Sequence, residues 1–375
     1  MQTAAQAIVV GGGPAGLAAA GALADAGVRA PVLERGSAVG AAWRARYDRL
    51  RLNTSRLTSR VGRTRYPRRV GMFPTRDEFV AYLGEFAARR RLDVRTGVDV
   101  MRLDRRGDRW HVATSAGEVG AAHVIVATGY AREPRLPPWW APDRYRGRLL
   151  HAADYREPSR FRGRDVLVVG AGSSGMEIAA DLAGGGARSV RLSVRTPPNI
   201  LLRAVGGIPG DPLGIAMMRL PARLADAQTR ALRRLVLGDL SGYGLPAPHE
   251  GPFTRLERLG AAPAVVDRAV VDMVKEGRIA VVAAVAALEP EGARLADGSV
   301  AKADAIVAAT GYRCGLEPIV GHLAVLDARG VPRVPDGGEG APGLRFVGFR
   351  PVPGQIRQAT LEAERAARAI ASSVD

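Results

Sequence analysis

Three glycines, Gly11, Gly13 and Gly16, stand in the order GxGxxG directly after the apolar run Ala7–Val10. Each has its own task. Gly11 permits a tight turn, Gly13 lets the backbone approach a pyrophosphate, and Gly16 lets a helix pack closely on the preceding strand. The helix that opens with Pro14 and Ala15 aims unpaired N–H groups at the phosphates. A second short apolar run, Val32 and Leu33, ends at Glu34, eighteen residues beyond Gly16, with Arg35 beside it. A carboxylate at that distance accepts hydrogen bonds from a ribose. With 46 glycines in the chain the triplet alone says little. Strand, turn, helix and acid in the correct order make it a dinucleotide site.

The pattern recurs. Gly170, Gly172 and Gly175 follow the run Val166–Val169 at the same spacing, and Ser173 and Ser174 open the next helix. The strand Ser189–Val194 ends in Arg195, twenty residues beyond Gly175. A cation now stands where the first site has a carboxylate, which suits a ribose carrying a 2′-phosphate. A hydrogen bond to such a charged group contributes about 1.5–3 kcal/mol. Opposite charges at equivalent positions predict two different nucleotides, FAD in the first site and NADPH in the second.

These motifs require an α/β fold with two dinucleotide-binding, Rossmann-like domains. The stretch Ala122–Tyr130 runs as an apolar strand into Thr128-Gly129, and Ala303–Tyr312 runs likewise into Thr310-Gly311. A third apolar run, Gly343–Phe349, leads through a Pro-Val-Pro turn to Gly354 and Gln355 at the start of a helix. The positive end of that helix would stabilise negative charge on a reduced flavin. We expect a discontinuous FAD domain over 1–158 and 308–375. The NADPH domain, 159–307, would be inserted within it and carry a helical insertion at about 197–271.

Composition bounds the remaining classes. A length of 375 residues accommodates two domains. The net charge of +17 invites a nucleic-acid or membrane reading, but 52 of the 54 cations are arginine, only Lys275 and Lys302 being lysine. That skew is expected of a solvated basic surface, and no nucleic-acid or membrane partner is assigned. The single cysteine, Cys314, cannot form a redox pair or a thiolate metal cluster. The histidines show no metal-binding spacing, so no metal is expected. The longest apolar run, Ile279–Leu288, has ten residues and is too short to span a bilayer. A reduced, cytoplasmic protein is the expectation, and the sequence sets no oligomeric state.

Between the glycine motifs the chain reads YRGRLLHAADY, with Tyr145, Gly147, His151 and Tyr155. This resembles the FxGxxxHxxxY signature of the class B flavin-containing monooxygenases, a tyrosine replacing the first phenylalanine. The likeness extends over nearly the whole chain and is nearest to the plant YUCCA branch, the indole-3-pyruvate monooxygenases. It is carried by Tyr47–Leu52, Phe73–Leu83, Leu167–Leu182, Tyr243–Pro248 and Ala309–Arg313. The resemblance implies an NADPH- and O2-dependent FAD monooxygenase acting on a small organic molecule through a C4a-hydroperoxyflavin. Oxidative decarboxylation of a 2-oxo acid such as indole-3-pyruvate is one outcome it implies. N- or S-oxygenation, or a thiol-independent flavin reductase, are the alternatives. One departure is informative. The plant branch has a histidine-containing LHLP after the YDRL stretch, whereas this chain has LNTSR, with Asn53 as in the general flavin-containing monooxygenases. The resemblance places Asn53 by the flavin and nicotinamide as the catalytic candidate and Trp43 beside the flavin. It gives His151 and Tyr155 a structural role at the NADPH interface.

Overall fold

The computed structural model describes residues 5–260 and 262–374, which form an α/β structure of two compact units. The first unit contains β1 (Ala5–Val10), α1 (Pro14–Asp25), β2 (Val32–Glu34), α2 (Arg76–Arg89), β3 (Val94–Thr96) and β4 (Gly117–Val126). The second contains β5 (Arg148–His151), β6 (Asp165–Val169), α3 (Ser173–Gly184), β7 (Ser189–Ser193), α4 (Ala222–Leu237), β8 (Ala280–Val282) and β9 (Ala305–Ala308). The chain then returns to the first unit with β10 (Leu344–Phe346) and α5 (Gln355–Val374).

In the first unit the parallel strands lie in the order β10-β4-β1-β2-β3. The second unit repeats the scheme as β8-β7-β6-β9-β5, again parallel throughout. Strands covered on both faces read as continuous apolar runs. Ile8, Val9, Val10, Val166, Leu167 and Val168 are all buried accordingly. On α5 the buried positions Ala359, Ala363, Ala366, Ala367 and Ile370 recur at helical spacing. Four of these are alanine, and their small side chains bring α5 close to the alanine-rich α1. A capping box starts α2: Thr75 Oγ1 accepts from the Glu78 amide at 3.2 Å, and the Glu78 carboxylate accepts from the Thr75 amide at 2.8 Å. Each unit also carries an antiparallel excursion, residues 100–114 just before β4 in one and residues 285–302 just before β9 in the other.

The unit limits differ from those expected at 158/159 and 307/308. The chain crosses at 133/134 and 311/312, and residues 46–54 belong to the second unit. Strand pairing is the reason: β5 joins the edge of the second sheet, Leu150 lying opposite Val307. The insertion is also less helical than expected. It carries a parallel strand pair, Ile200–Leu202 with Ala264–Val266, around the helices Asp211–Met217, α4 and Pro252–Leu259.

Candidate functional site

Both glycine turns show the same division of labour. Gly11 has φ +109° and Gly170 φ +112°, a left-handed conformation that other residues avoid. A Cβ on Gly16 would sit 1.8 Å from the Gly11 carbonyl oxygen, and one on Gly175 the same distance from that of Gly170. These glycines are demanded by the protein itself. The middle glycines are not: a Cβ on Gly13 or Gly172 would meet nothing within 4 Å. Their bareness leaves backbone open to an outside group at the N-termini of α1 and α3, the arrangement a pyrophosphate requires.

Around the first turn, Glu34 Oε2 accepts from the Gly12 amide at 2.6 Å and Oε1 from the Gly36 amide at 2.7 Å. The carboxylate is thereby fixed, and each oxygen keeps a lone pair for a ribose hydroxyl. Pro14 and Ala15 form the first turn of α1, and Arg35 is exposed. Gly40, at φ +68°, donates from its amide to the Gly12 carbonyl at 3.0 Å and starts the short helix bearing Trp43. The Trp43 ring meets Phe79 edge to face at 4.7 Å, so a packing role is already in place. The Ala127 carbonyl closes over Gly11, and the next residue, Thr128, has a buried Oγ1 with no hydrogen-bond partner among the described residues. Gly129 follows at φ +78°. An open glycine turn, an anchored carboxylate and an orphaned hydroxyl fit a flavin nucleotide. Gly354, at φ +68°, precedes α5, while the Gln355 side chain donates to the Gly348 carbonyl at 3.4 Å.

In the second unit Arg195 follows β7, exposed and without an ion-pair partner among the described residues. Beyond the carboxyl ends of β7 and β8 lies a cavity of about 330 Å³ lined by Val194, Val282, Ala283, Leu295, Asp297 and Ser299. Ligands of open α/β sheets bind at such strand ends. The two Thr-Gly turns differ, because Thr310 donates its hydroxyl to the Arg135 carbonyl at 2.6 Å. Gly311 takes φ +86°. Ser173 Oγ accepts from the Val265 amide at 2.9 Å, which spends that side chain on the fold, whereas Ser174 is half-buried at the start of α3.

His151 ends β5, buried, its Nδ1 accepting from the Ala153 amide at 3.0 Å. Burial holds its pKa below the ordinary histidine value, which favours the neutral ring. Tyr155 is fully buried and donates to Asp181 Oδ2 at 2.8 Å. Burial raises the pKa values of both Tyr155 and Asp181.

Asn53 lies in the 46–54 strip and belongs to a polar network that sequence reasoning missed. Arg203 Nη2 donates to Asn53 Oδ1 at 3.3 Å and also to Glu177 on α3, while Nη1 donates to Asp267 at 2.6 Å. Tyr47 donates to the other Glu177 oxygen at 2.6 Å. Register explains the meeting: Leu202 lies opposite Val266, so the next residues on each strand, Arg203 and Asp267, emerge side by side. Burial raises the Glu177 pKa, as it does that of Tyr47.

Residues 8–199 match the family described as pyridine nucleotide-disulphide oxidoreductase. The chain is 36% identical over 351 residues to indole-3-pyruvate monooxygenase YUCCA1 of Oryza sativa subsp. japonica, a match spanning 92% of this chain and 86% of the relative. The chain belongs to the flavin monooxygenase family. These are FAD- and NADPH-dependent oxidoreductases, and this member is an enzyme of that kind. Probable indole-3-pyruvate monooxygenase YUCCA3 of Arabidopsis thaliana is 32% identical, covering 91% of this chain and 81% of its own. Among solved structures, a flavin-containing monooxygenase from Stenotrophomonas maltophilia superposes with TM-score 0.77 at 22% identity, covering both chains in full. Oxidised steroid monooxygenase bound to NADP gives TM-score 0.74 at 20% identity, over 100% of this chain and 86% of that one. These two likenesses speak for the fold. Dithiol chemistry has no residues here, because Cys314 is the sole cysteine. It is also buried, and burial pushes its thiol pKa up to about 11. Among the described residues no helix is long and apolar enough to cross a membrane, and no cluster of metal-ligating side chains occurs.

Proposed function

We propose that the chain is a monooxygenase that decarboxylates a small 2-oxo acid oxidatively, with indole-3-pyruvate as the first substrate to try. The observation that carries this reading is the 36% identity to a rice indole-3-pyruvate monooxygenase over 92% of the chain. In balanced form, one 2-oxo acid, O2, NADPH and a proton give the shortened carboxylic acid, CO2, NADP+ and water. When bound, FAD supplies the electron transfer from NADPH and the activation of O2. The residues of this chain bind and orient. The open faces of Gly13 and Gly172 admit the two pyrophosphates, Glu34 receives a ribose, and Arg195 meets the 2′-phosphate. Thr128 Oγ1, without a hydrogen-bond partner among the described residues, bonds the flavin, and Asn53 offers its amide to the nicotinamide. His151 and Tyr155 hold the second unit in shape, His151 Nδ1 accepting from the Ala153 amide and the Tyr155 hydroxyl donating to Asp181. A single buried cysteine suits a reducing compartment such as the cytoplasm.

Asn53 favours a second reading, N- or S-oxygenation of a metabolite, because the LNTSR stretch that carries it resembles the general flavin-containing monooxygenases more than the plant branch. Product analysis separates the two. The FAD-loaded protein is supplied with NADPH, O2 and, in parallel, indole-3-pyruvate, an amine panel and a thioether panel. Indole-3-acetate with release of one CO2 is expected. Oxygenated amine or sulfoxide without any decarboxylation would establish the second reading instead.

A further inference from the structure

We infer that Arg203 is a positioning residue that fixes the amide of Asn53, so that Asn53 presents its NH2 group to the nicotinamide end of NADP+. The inference rests on the role proposed above for Asn53. An asparagine amide has an acceptor end and a donor end, and left alone it can present either. Arginine has five donors and no acceptor, so the Asn53 atom facing it is an oxygen by chemistry. Arg203 Nη2 lies 3.3 Å from Asn53 Oδ1. That contact turns Asn53 Nδ2 away, and no described residue accepts from it.

The guanidinium is itself held from two sides. It is 3% exposed, gripped on the inside by Glu177 and on the outside by Asp267 at 2.6 Å. Glu177 is in turn held by Tyr47 at 2.6 Å, six residues before Asn53 on the same strip. The strip is thus anchored at both ends to one ion pair. A planar fork can serve two carboxylates and an amide oxygen together, which a lysine ammonium on a flexible stem cannot do in the same geometry. Removing the cation outright would strand the buried Glu177 carboxylate, so Arg203→Lys, which keeps the charge, is the informative change.

The test uses the FAD-loaded protein and calorimetric titration with two ligands, NADP+ and 2′,5′-ADP, the latter lacking nicotinamide. Asn53→Asp keeps an acceptor for Arg203 but has no NH2. It should weaken NADP+ roughly three- to tenfold, the loss of one hydrogen bond, and leave 2′,5′-ADP unchanged. Arg203→Lys should do the same, and the double variant should bind no more weakly than either single one. Equal weakening of both ligands by Arg203→Lys, or additivity in the double variant, would overturn the positioning role and leave a merely structural one. An unaffected Asn53→Asp would sink the reading of Asn53 itself. A clear effect of Asn53→Asp with none from Arg203→Lys would sink this inference alone. If Arg203→Lys does not fold, Asp267→Asn loosens only the outer, 55% exposed grip. Selective weakening of NADP+ by that variant supports the inference, and an unchanged ratio of the two affinities refutes it.

Discussion

Replacing Arg195 by alanine should convert a cofactor preference into near indifference. The side chain follows β7, is exposed and has no ion-pair partner among the described residues, so its charge is available to a ligand. A hydrogen bond to a charged group contributes about 1.5–3 kcal/mol. Exposure places Arg195 at the low end, because water and salt screen it. The expected loss is then about 1.5 kcal/mol, roughly tenfold in affinity. NADH has no 2′-phosphate and should not register the change. The assay is kcat/KM for NADPH and NADH with wild type and Arg195→Ala at low and high ionic strength. NADPH should lose roughly tenfold and NADH nothing, and the preference of the wild type for NADPH should shrink as salt is raised. Equal losses for both nucleotides would mean that Arg195 supports the fold of the strand end. No loss for either would remove its role altogether.

The two kinds of glycine should separate by calorimetry. Gly16→Ala forces a Cβ to 1.8 Å from a carbonyl oxygen and should lower the stability even of FAD-free protein, by about 1–3 kcal/mol or more. Gly13→Ala, with nothing within 4 Å, should melt like wild type without FAD yet fail to retain the flavin. Tyr155→Phe leaves the buried Asp181 carboxylate without its 2.8 Å donor and should cost about 1–3 kcal/mol in urea denaturation. The pH dependence of turnover should stay unchanged in that variant if Tyr155 has the structural role proposed for it. Hydrogen bonds from Arg188 and Ser189 bring the Asp165 pKa down from 3.8 to about 2. Its stabilisation is therefore complete above about pH 3.8 and lost as pH falls through about 2. Denaturation of wild type and Asp165→Asn should differ by up to about 1 kcal/mol at pH 5 and converge near pH 2.

What was legible in the sequence was what local sterics demand. The clash of a Gly16 Cβ with the Gly11 carbonyl is settled within six residues, so the triplets, the strands before them and the positions of Glu34 and Arg195 after them could be read directly. Strand β5 was not legible in the same way. Its four residues find their place only by pairing with β9, more than 150 positions away, and no local pattern records that register. The domain limits moved for this reason. The Arg203 network was hidden twice over, by the distance between residues 53, 177, 203 and 267 and by the abundance of arginine. Its one sequence signal was Glu177, a carboxylate between Met176 and Ile178 in a helix that opens a nucleotide site. A charge there needs a partner once the helix packs. The basic surface proved partly internal business as well: Arg188 pairs with Asp165, Arg102 with Asp104 and Arg258 with Glu250.

The two glycine turns share one backbone solution and differ in how the side chains proposed to meet the riboses are prepared. Glu34 is already ordered, each oxygen held by a backbone amide at 2.6 or 2.7 Å, so contact with a ribose costs it little further entropy. Arg195 is exposed and has no ion-pair partner among the described residues, and immobilising such a side chain costs about 0.5–1.5 kcal/mol. A prepared site suits a nucleotide that stays, and an unprepared one suits a nucleotide that leaves after each turnover. The distinction predicts that gel filtration retains stoichiometric flavin while stripping added NADP+. It further predicts that Glu34→Gln, which still accepts with its carbonyl but repels one amide with its NH2, releases FAD measurably during the same run. Retention of both nucleotides, or flavin that survives Glu34→Gln unchanged, would break the link between side-chain order and residence that the two turns suggest.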